Sequence, residues 1–284
     1  MNPFQKFVAA AARNFLTGKN LAPVGLKKII PSRTTANAPG ALLFSPHPDD
    51  ECITGGLPLR LQDEAKWNVI NVAVTLGSQR ERQVARRREL QRACATLGFR
   101  LIVPGRPGLE PINLGARKRQ PARWRAASKT LAEILAARRP RVIFLPHAAD
   151  AHPTHIATHH LVLGALKMLP PHFHCFIVET EFWGQMAAPN LLVELQVDDV
   201  ARLVAALTCH AGEVRRNPYH ARLPAWLMDN VRRGAEIVGD RGGTAPDFTF
   251  GTIYRLSRWQ GKKMRLPAGR ILSATEDPAA LFAD

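Results

Sequence analysis

No aspartate or glutamate occurs before Asp49, whereas Lys6, Arg13, Lys19, Lys27, Lys28 and Arg33 do. The amino-terminal segment is therefore wholly basic, in a chain whose formal charge is already +16. Cysteine is scarce: Cys52, Cys94, Cys175 and Cys209 stand far apart with no C-x-x-C pair. That excludes a disulfide framework and reads as reduced cytosolic thiols. Long apolar runs are missing too, and a stretch such as Val142 to Pro146 is far too short to span a bilayer. Residues 4 to 16 lack the apolar core and small-residue cleavage site of a signal peptide. No internal repeat is present, and no motif interleaves aromatics with the basic residues, so no specific nucleic-acid partner is expected. The expected location is cytoplasmic.

What is present fits one globular domain. With 284 residues, 46% apolar and 22% charged, the chain can bury a full core, and neither disorder nor a fibrous architecture is suggested. Phe4, Phe7, Val8, Ala11, Phe15 and Leu16 recur at helical spacing among basic residues. Such an amphipathic helix can lie on an anionic membrane as a peripheral contact, or dock on its own domain. The segment from Pro31 to Gly40, rich in Ser, Thr, Asn, Pro and Gly, separates this helix from the rest of the chain. Residues 1–39 thus read as a basic extension, 40–260 as the main domain and 261–284 as a Pro- and Gly-punctuated, loosely ordered tail.

Within the domain, apolar runs at Ala41–Ser45, Val69–Thr75, Leu101–Pro104, Val142–Pro146 and Phe173–Val178 predict strands buried on both faces. Helical patterns at Gln79–Leu97, Pro121–Arg138 and Thr154–Met168 lie between them. This alternation predicts an α/β, Rossmann-like, doubly wound and mostly parallel sheet flanked by helices. Further on, a strand is expected at Leu191–Val197, helices at Asp198–Arg215 and Trp226–Val238, and a late strand at Phe248–Leu256.

The first strand runs into Pro46-His47-Pro48-Asp49-Asp50-Glu51, at a strand's carboxyl end, where open α/β sheets form their ligand crevice. His47 and Asp50 are three residues apart, so a turn can aim an imidazole and a carboxylate at one metal ion, leaving Asp49 free to act on a water. The same string also suits a polar loop that opens a helix. A second segment, His147-Ala148-Ala149-Asp150-Ala151-His152-Pro153-Thr154-His155, comes directly after another strand. Two strand ends then supply His, Asp and His, a three-ligand set with one position open. His155 and His159 stand at i, i+4, but the glutamate of an H-E-x-x-H site is missing. His159 and His160 read better as helix-packing or surface residues.

The two segments together resemble the LmbE-like, or PIG-L, family of zinc-dependent N-acetylglucosaminyl deacetylases, over roughly Ala41 to Leu256. The resemblance implies His47, Asp50 and His155 as metal ligands, Asp49 as general base and His152 as the residue facing the developing oxyanion. The implied cofactor is Zn2+, although another divalent transition metal suits the same donors. The implied reaction is removal of an acetyl group from an N-acetylated amino-sugar conjugate. The second motif departs from the family at Thr154, where an aspartate is usual; Asp150 is the candidate substitute. Arg86 in Arg86-Arg87-Arg88-Glu89-Leu90 is similar to a sugar-contacting arginine, and Cys209-His210-Ala211-Gly212-Glu213 to a late histidine segment. Both Arg86 and His210 are therefore candidate substrate contacts, against a solvated arginine run and a local His210–Glu213 helix pair.

Arg80, Arg82 and Arg86 suggest a substrate with an anionic group, and the amino-terminal helix admits a lipid-linked one. Two rivals are a metal-dependent phosphoesterase, which generally needs more carboxylates around paired ions, and a non-catalytic protein that binds through its basic surface. The sequence leaves the oligomeric state open.

Overall fold

The computed structural model describes residues 2–22, 38–105, 108–238 and 246–283. Helix α1 (Pro3–Lys19) precedes strand β1 (Gly40–Ser45), the short α2 (Asp50–Ile53) and α3 (Gly56–Asp63). Then come β2 (Asn68–Ala73), α4 (Gln83–Leu97), β3 (Arg100–Ile102), α5 (Leu114–Arg119) and α6 (Pro121–Arg138). The central part continues with β4 (Val142–Pro146), α7 (Pro153–Met168), β5 (Cys175–Thr180) and β6 (Leu191–Leu195). Helices α8 (Val197–Thr208), α9 (Ala211–Arg216) and α10 (Tyr219–Ile237) lead to β7 (Phe250–Gln260), β8 (Lys263–Arg265) and β9 (Arg270–Leu272).

The strands form one sheet in the order β3-β2-β1-β4-β5-β7-β6-β9, with β8 on β7. Strands β1 to β5 are mutually parallel, whereas β7 runs antiparallel to both β5 and β6. The chain winds outward from β1 in both directions, so the β1–β4 gap is the switch point. Crossover helices on opposite faces leave a crevice there at the carboxyl ends. Both histidine motifs sit just beyond these two strands.

Alternation along the strands feeds two cores. Leu43, Val69, Phe144 and Val178 face α3, α4 and α8, while Leu42, Phe44, Ile143 and Leu145 face α6 and α7. Both faces being covered explains why the parallel strands read as continuous apolar runs.

Two expectations need correcting. The helix expected at Asp198–Arg215 is broken, ending at Thr208 and restarting at Ala211, because His210 turns inward to pair with Glu51. The tail is not loose either. Strand β9 adds to β6 in parallel, and Phe282 is buried between Trp67 and Phe176. Arg60 of α3, only 1% exposed, fastens this tail. Its guanidinium donates to the carbonyls of Glu194, Ser273, Ala274 and Glu276, and it pairs with Glu64.

Lys27, Lys28, Arg33 and most of the Pro31–Gly40 stretch lie outside the described residues. Helix α1 docks by its last turns on the start of α10: Gly18 approaches Ala221, and the Arg222 guanidinium lies 4.7 Å from the Phe15 ring centre.

Candidate active site at the strand switch

Beyond β1 the chain makes a tight turn, with Asp49 at φ 115°. That left-handed conformation is costly for a residue with a Cβ, and it persists because several bonds fix it. Glu51 Oε2 accepts the Asp49 N–H at 3.0 Å, and Asp50 Oδ2 accepts the His47 N–H at 2.7 Å. Thr75 Oγ1 donates to the Pro46 carbonyl at 2.7 Å, and Arg86 Nη2 to that of Pro48 at 3.1 Å. The turn sends Asp49 to the cavity wall and Asp50 toward His47.

Helix α7 positions the second motif. His152 is its N-cap, with Nδ1 accepting the Thr154 N–H at 3.2 Å, and Pro153 occupies the first helical position. His155 Nε2 then lies 3.3 Å from His47 Nδ1 and 3.5 Å from Asp50 Oδ2, while His47 Nδ1 and Asp50 Oδ2 are 3.7 Å apart. Donors that share one zinc ion at bonds of ~2.0–2.2 Å stand roughly 3.3–3.6 Å from one another. Two of the three separations fall in that range and the His47–Asp50 one lies just above it, and Asp50 Oδ1 is a buried oxygen with no hydrogen-bond partner. His152 lies close as well, and His47, His152 and His155 form a second set within ligand reach of one another.

Behind His155, Asp150 Oδ2 stands 3.5 Å from Nδ1, near enough to orient the ring by charge although Nδ1 makes no hydrogen bond. Asp150 also accepts the backbone N–H groups of His152 and Trp183, at 2.8 and 3.2 Å. It therefore serves the ring of His155 and only the backbone of His152. Thr154 likewise meets His152 through its backbone.

The electrostatics arise from burial and crowding. Burial raises the Asp49 carboxyl well above its ordinary range; the Asp50 carboxylate adds to this and Arg86 opposes it. Burial acts against ionised Asp50, yet His155 and His47 hold its carboxyl below the usual range. His155 is raised in spite of its burial, by Asp50 and Asp150. Burial, with His47 and His155 alongside, pushes His152 down to about 4.

The cavity beside these groups has a volume of about 580 Å³, with His47, Asp49 and His152 in its lining. One wall is cationic. Arg82, Arg86 and Arg216 converge on buried Glu213, at 3.0, 3.6 and 2.5 Å, and Arg80 and Arg123 line the rim. Arg86, expected as a substrate contact, is on this wall. The facing wall is aromatic: Trp183 stacks on His152 with ring centres 5.8 Å apart, and Phe182 and Tyr219 pack on Trp183. Sequence reasoning missed this wall. Phe182-Trp183 comes after β5, so the signal was an aromatic pair just beyond a third strand end beside the crevice.

His210 needs correction as a substrate contact. It is fully buried beneath the motif, with Nε2 2.7 Å from Glu51 Oε1, and is not on the cavity wall. Nor does it pair with Glu213, whose carboxylate goes to the arginines. Glu51, Cys52 and His210 are also within metal-ligand reach of one another. Burial and Glu51 push the Cys52 thiol far up, however, so it stays protonated and a poor ligand. His159 is a packing residue, with Nδ1 donating to the Pro146 carbonyl at 2.9 Å.

A helix-flanked mixed sheet with histidines and a carboxylate at its switch point is the LmbE-like fold. Residues 42–166, the segment carrying both motifs, match the family model described as PIG-L, GlcNAc-PI de-N-acetylase. No curated protein matches the chain in sequence. Among solved structures, N,N'-diacetylchitobiose deacetylase from Pyrococcus horikoshii is 17% identical with a TM-score of 0.54, over 90% of this chain and 93% of that one. A teicoplanin deacetylase in a zinc-inhibited form is 17% identical with a TM-score of 0.52, over 77% and 98%. The 4-carboxy-2-hydroxymuconate hydratase GalB of Pseudomonas putida is 16% identical with a TM-score of 0.55, over 77% and 95%. At such identities the likeness carries the fold, and one fold here hosts two chemistries.

Proposed function

We propose that this protein is a metal-dependent N-deacetylase that hydrolyses the acetamide of an N-acetylated amino-sugar conjugate. The observation that carries the reading is the convergence of His47 Nδ1, Asp50 Oδ2 and His155 Nε2 within 3.7 Å of one another beside Asp49. Zinc is the first candidate, with other divalent transition metals suited to the same donors. When bound, such an ion supplies Lewis acidity for water and for the amide carbonyl.

The chain's own groups supply the rest. Asp49, whose carboxyl burial makes more basic than an ordinary carboxylate, is the group placed to take a proton from the attacking water. His152 Nδ1 accepts the Thr154 N–H, so its remaining proton sits on Nε2. A neutral imidazole in that tautomer donates a hydrogen bond to the tetrahedral oxyanion. Asp49 then returns its proton to the departing nitrogen, and collapse releases acetate and the free amine. Trp183 offers a face on which a sugar ring can lie, and three arginines sharing one carboxylate leave a positive wall for an anionic aglycone, lipid-linked or soluble. The four free, buried cysteines fit a reducing, cytoplasmic setting.

The test is acetate release from N-acetylated sugars of varied aglycone by the metal-loaded protein. Asp49→Asn is expected to keep the metal, by elemental analysis, and to lose about 10²–10⁴-fold in turnover. Phosphate release from phosphoesters, or hydration of an alkene without acetate release, would overturn the reading.

A further inference from the structure

Helix α1 takes no part in the site, yet it is built with care. Asn2 and Gln5 form a reciprocal capping box, at 2.8 and 3.0 Å, and Pro3 sits at the first helical position. Its start is thus held by local bonds, without tertiary support. Phe4, Phe7, Val8, Ala11 and Phe15 share one face by their spacing. The end of that face is docked, Phe15 lying under Arg222 with Gly18 beyond it on Ala221. The beginning is not: Phe4 is 80% exposed, Phe7 77% and Val8 65%. Two phenylalanines and a valine held side by side in water on a preformed helix mark an interaction surface.

Charge identifies the partner. Lys6 and Arg13 lie on the opposite face, Lys19 closes the helix, and no acidic residue occurs in the first 48 positions. A second copy packed stripe to stripe would leave Lys6 and Arg13 facing outward and unused, with no carboxylate on the helix to pair with them. An apolar stripe backed by lysine and arginine matches an anionic lipid surface, where the rings enter the acyl boundary and the cations meet the headgroups. Among the described residues no helix is long and apolar enough to cross a membrane, so the contact is with the surface.

The docking point gives the contact a place in the molecule. Ala221 and Arg222, which hold α1, come directly after Arg216, Asn217 and Tyr219 in the cavity wall. We infer that α1 is a surface anchor for an anionic bilayer, holding the cavity next to the lipid. This inference is independent of the reaction catalysed.

Co-sedimentation of the full chain with vesicles tests it, using phosphatidylcholine alone and phosphatidylcholine mixed with phosphatidylserine. Binding is expected to the mixed vesicles only and to weaken with salt. Phe4→Asp with Phe7→Asp is expected to weaken it at least ~10-fold, and Lys6→Glu with Arg13→Glu about as much. Both pairs are solvent-facing, so the melting temperature serves as a control for folding and is expected to hold. Absence of binding to the mixed vesicles would overturn the proposal. So would binding indifferent to the Phe4 and Phe7 changes, which would be adsorption through overall charge. A dimer in light scattering that the same double change dissolves would assign the stripe to a second copy instead.

Discussion

Glu51 Oε1 lies 2.7 Å from His210 Nε2, with both side chains closed to solvent. Since Glu51 Oε2 holds the Asp49 N–H, His210 supports the strained turn that aims Asp49, although 159 residues separate it from Glu51. His210→Ala leaves the Glu51 carboxyl buried without its principal donor, and a loss of roughly 3–5 kcal/mol in urea unfolding is expected. Turnover should fall with it. His210→Gln, which restores a donor, should recover part of both; equal losses in the two variants would show that packing alone matters.

Asp150 is expected to act through the metal affinity. Asp150→Asn keeps the volume and removes the charge behind His155, which should weaken zinc binding by about 10–100-fold in competition with a chromophoric chelator. Affinity unchanged from wild type would confine Asp150 to bracing the His152 and Trp183 backbone.

The aromatic wall should appear in KM. Trp183 is 47% exposed, so Trp183→Ala should leave the melting temperature nearly unchanged while raising KM for an acetylated sugar about 2–10-fold. A fall confined to kcat would instead tie Trp183 to the orientation of His152, on which it stacks.

His159 should make stability sensitive to pH. Burial pushes its imidazole down to about 4, against 6.5 in the unfolded chain. Between these values the unfolded chain binds the extra proton, so His159 contributes stability that is full above about pH 6.5 and is lost as pH falls toward 4. The groups facing it are His147, His160 and Glu179, whose Oε1 lies 3.3 Å from Nδ1 and whose own carboxyl is raised by burial. In urea unfolding, the advantage of wild type over His159→Gln should therefore narrow from pH 7 to pH 4.5. An advantage constant across that range would mean the ring titrates alike in both states.

The legible parts of the fold are those in which local pattern and tertiary burial agree. Strand β4 and helix α6 have the boundaries that the sequence predicts, and α7 starts one residue earlier. Buried parallel strands must be apolar throughout, and their crossover helices carry a complete helical pattern. The metal-ligand candidates were legible because a turn of fixed length brings His47 and Asp50 together.

The break at Cys209-His210 was not legible, since the helical pattern runs through it and its cause, Glu51, is remote in sequence. Strand β9 was hidden for a similar reason. Its partner β6 lies some eighty residues earlier, and the intervening prolines and glycines suggest a tail when read locally. The aromatic wall has no period at all, and only its place beyond β5 gives it meaning.

Arg60 has a consequence for the order in which the protein is made. During synthesis α3 emerges more than two hundred residues before Ser273, Ala274 and Glu276, whose carbonyls receive its guanidinium. Until they leave the ribosome, Glu64 balances the charge of the arginine but part of its guanidinium lacks acceptors, and sealing it in the core would leave donors unpaired. That edge of the sheet is thus expected to close last. A chain ending before residue 270 would lack β9 and three of these acceptors, and it is expected to be a substrate for proteases rather than a weakened enzyme.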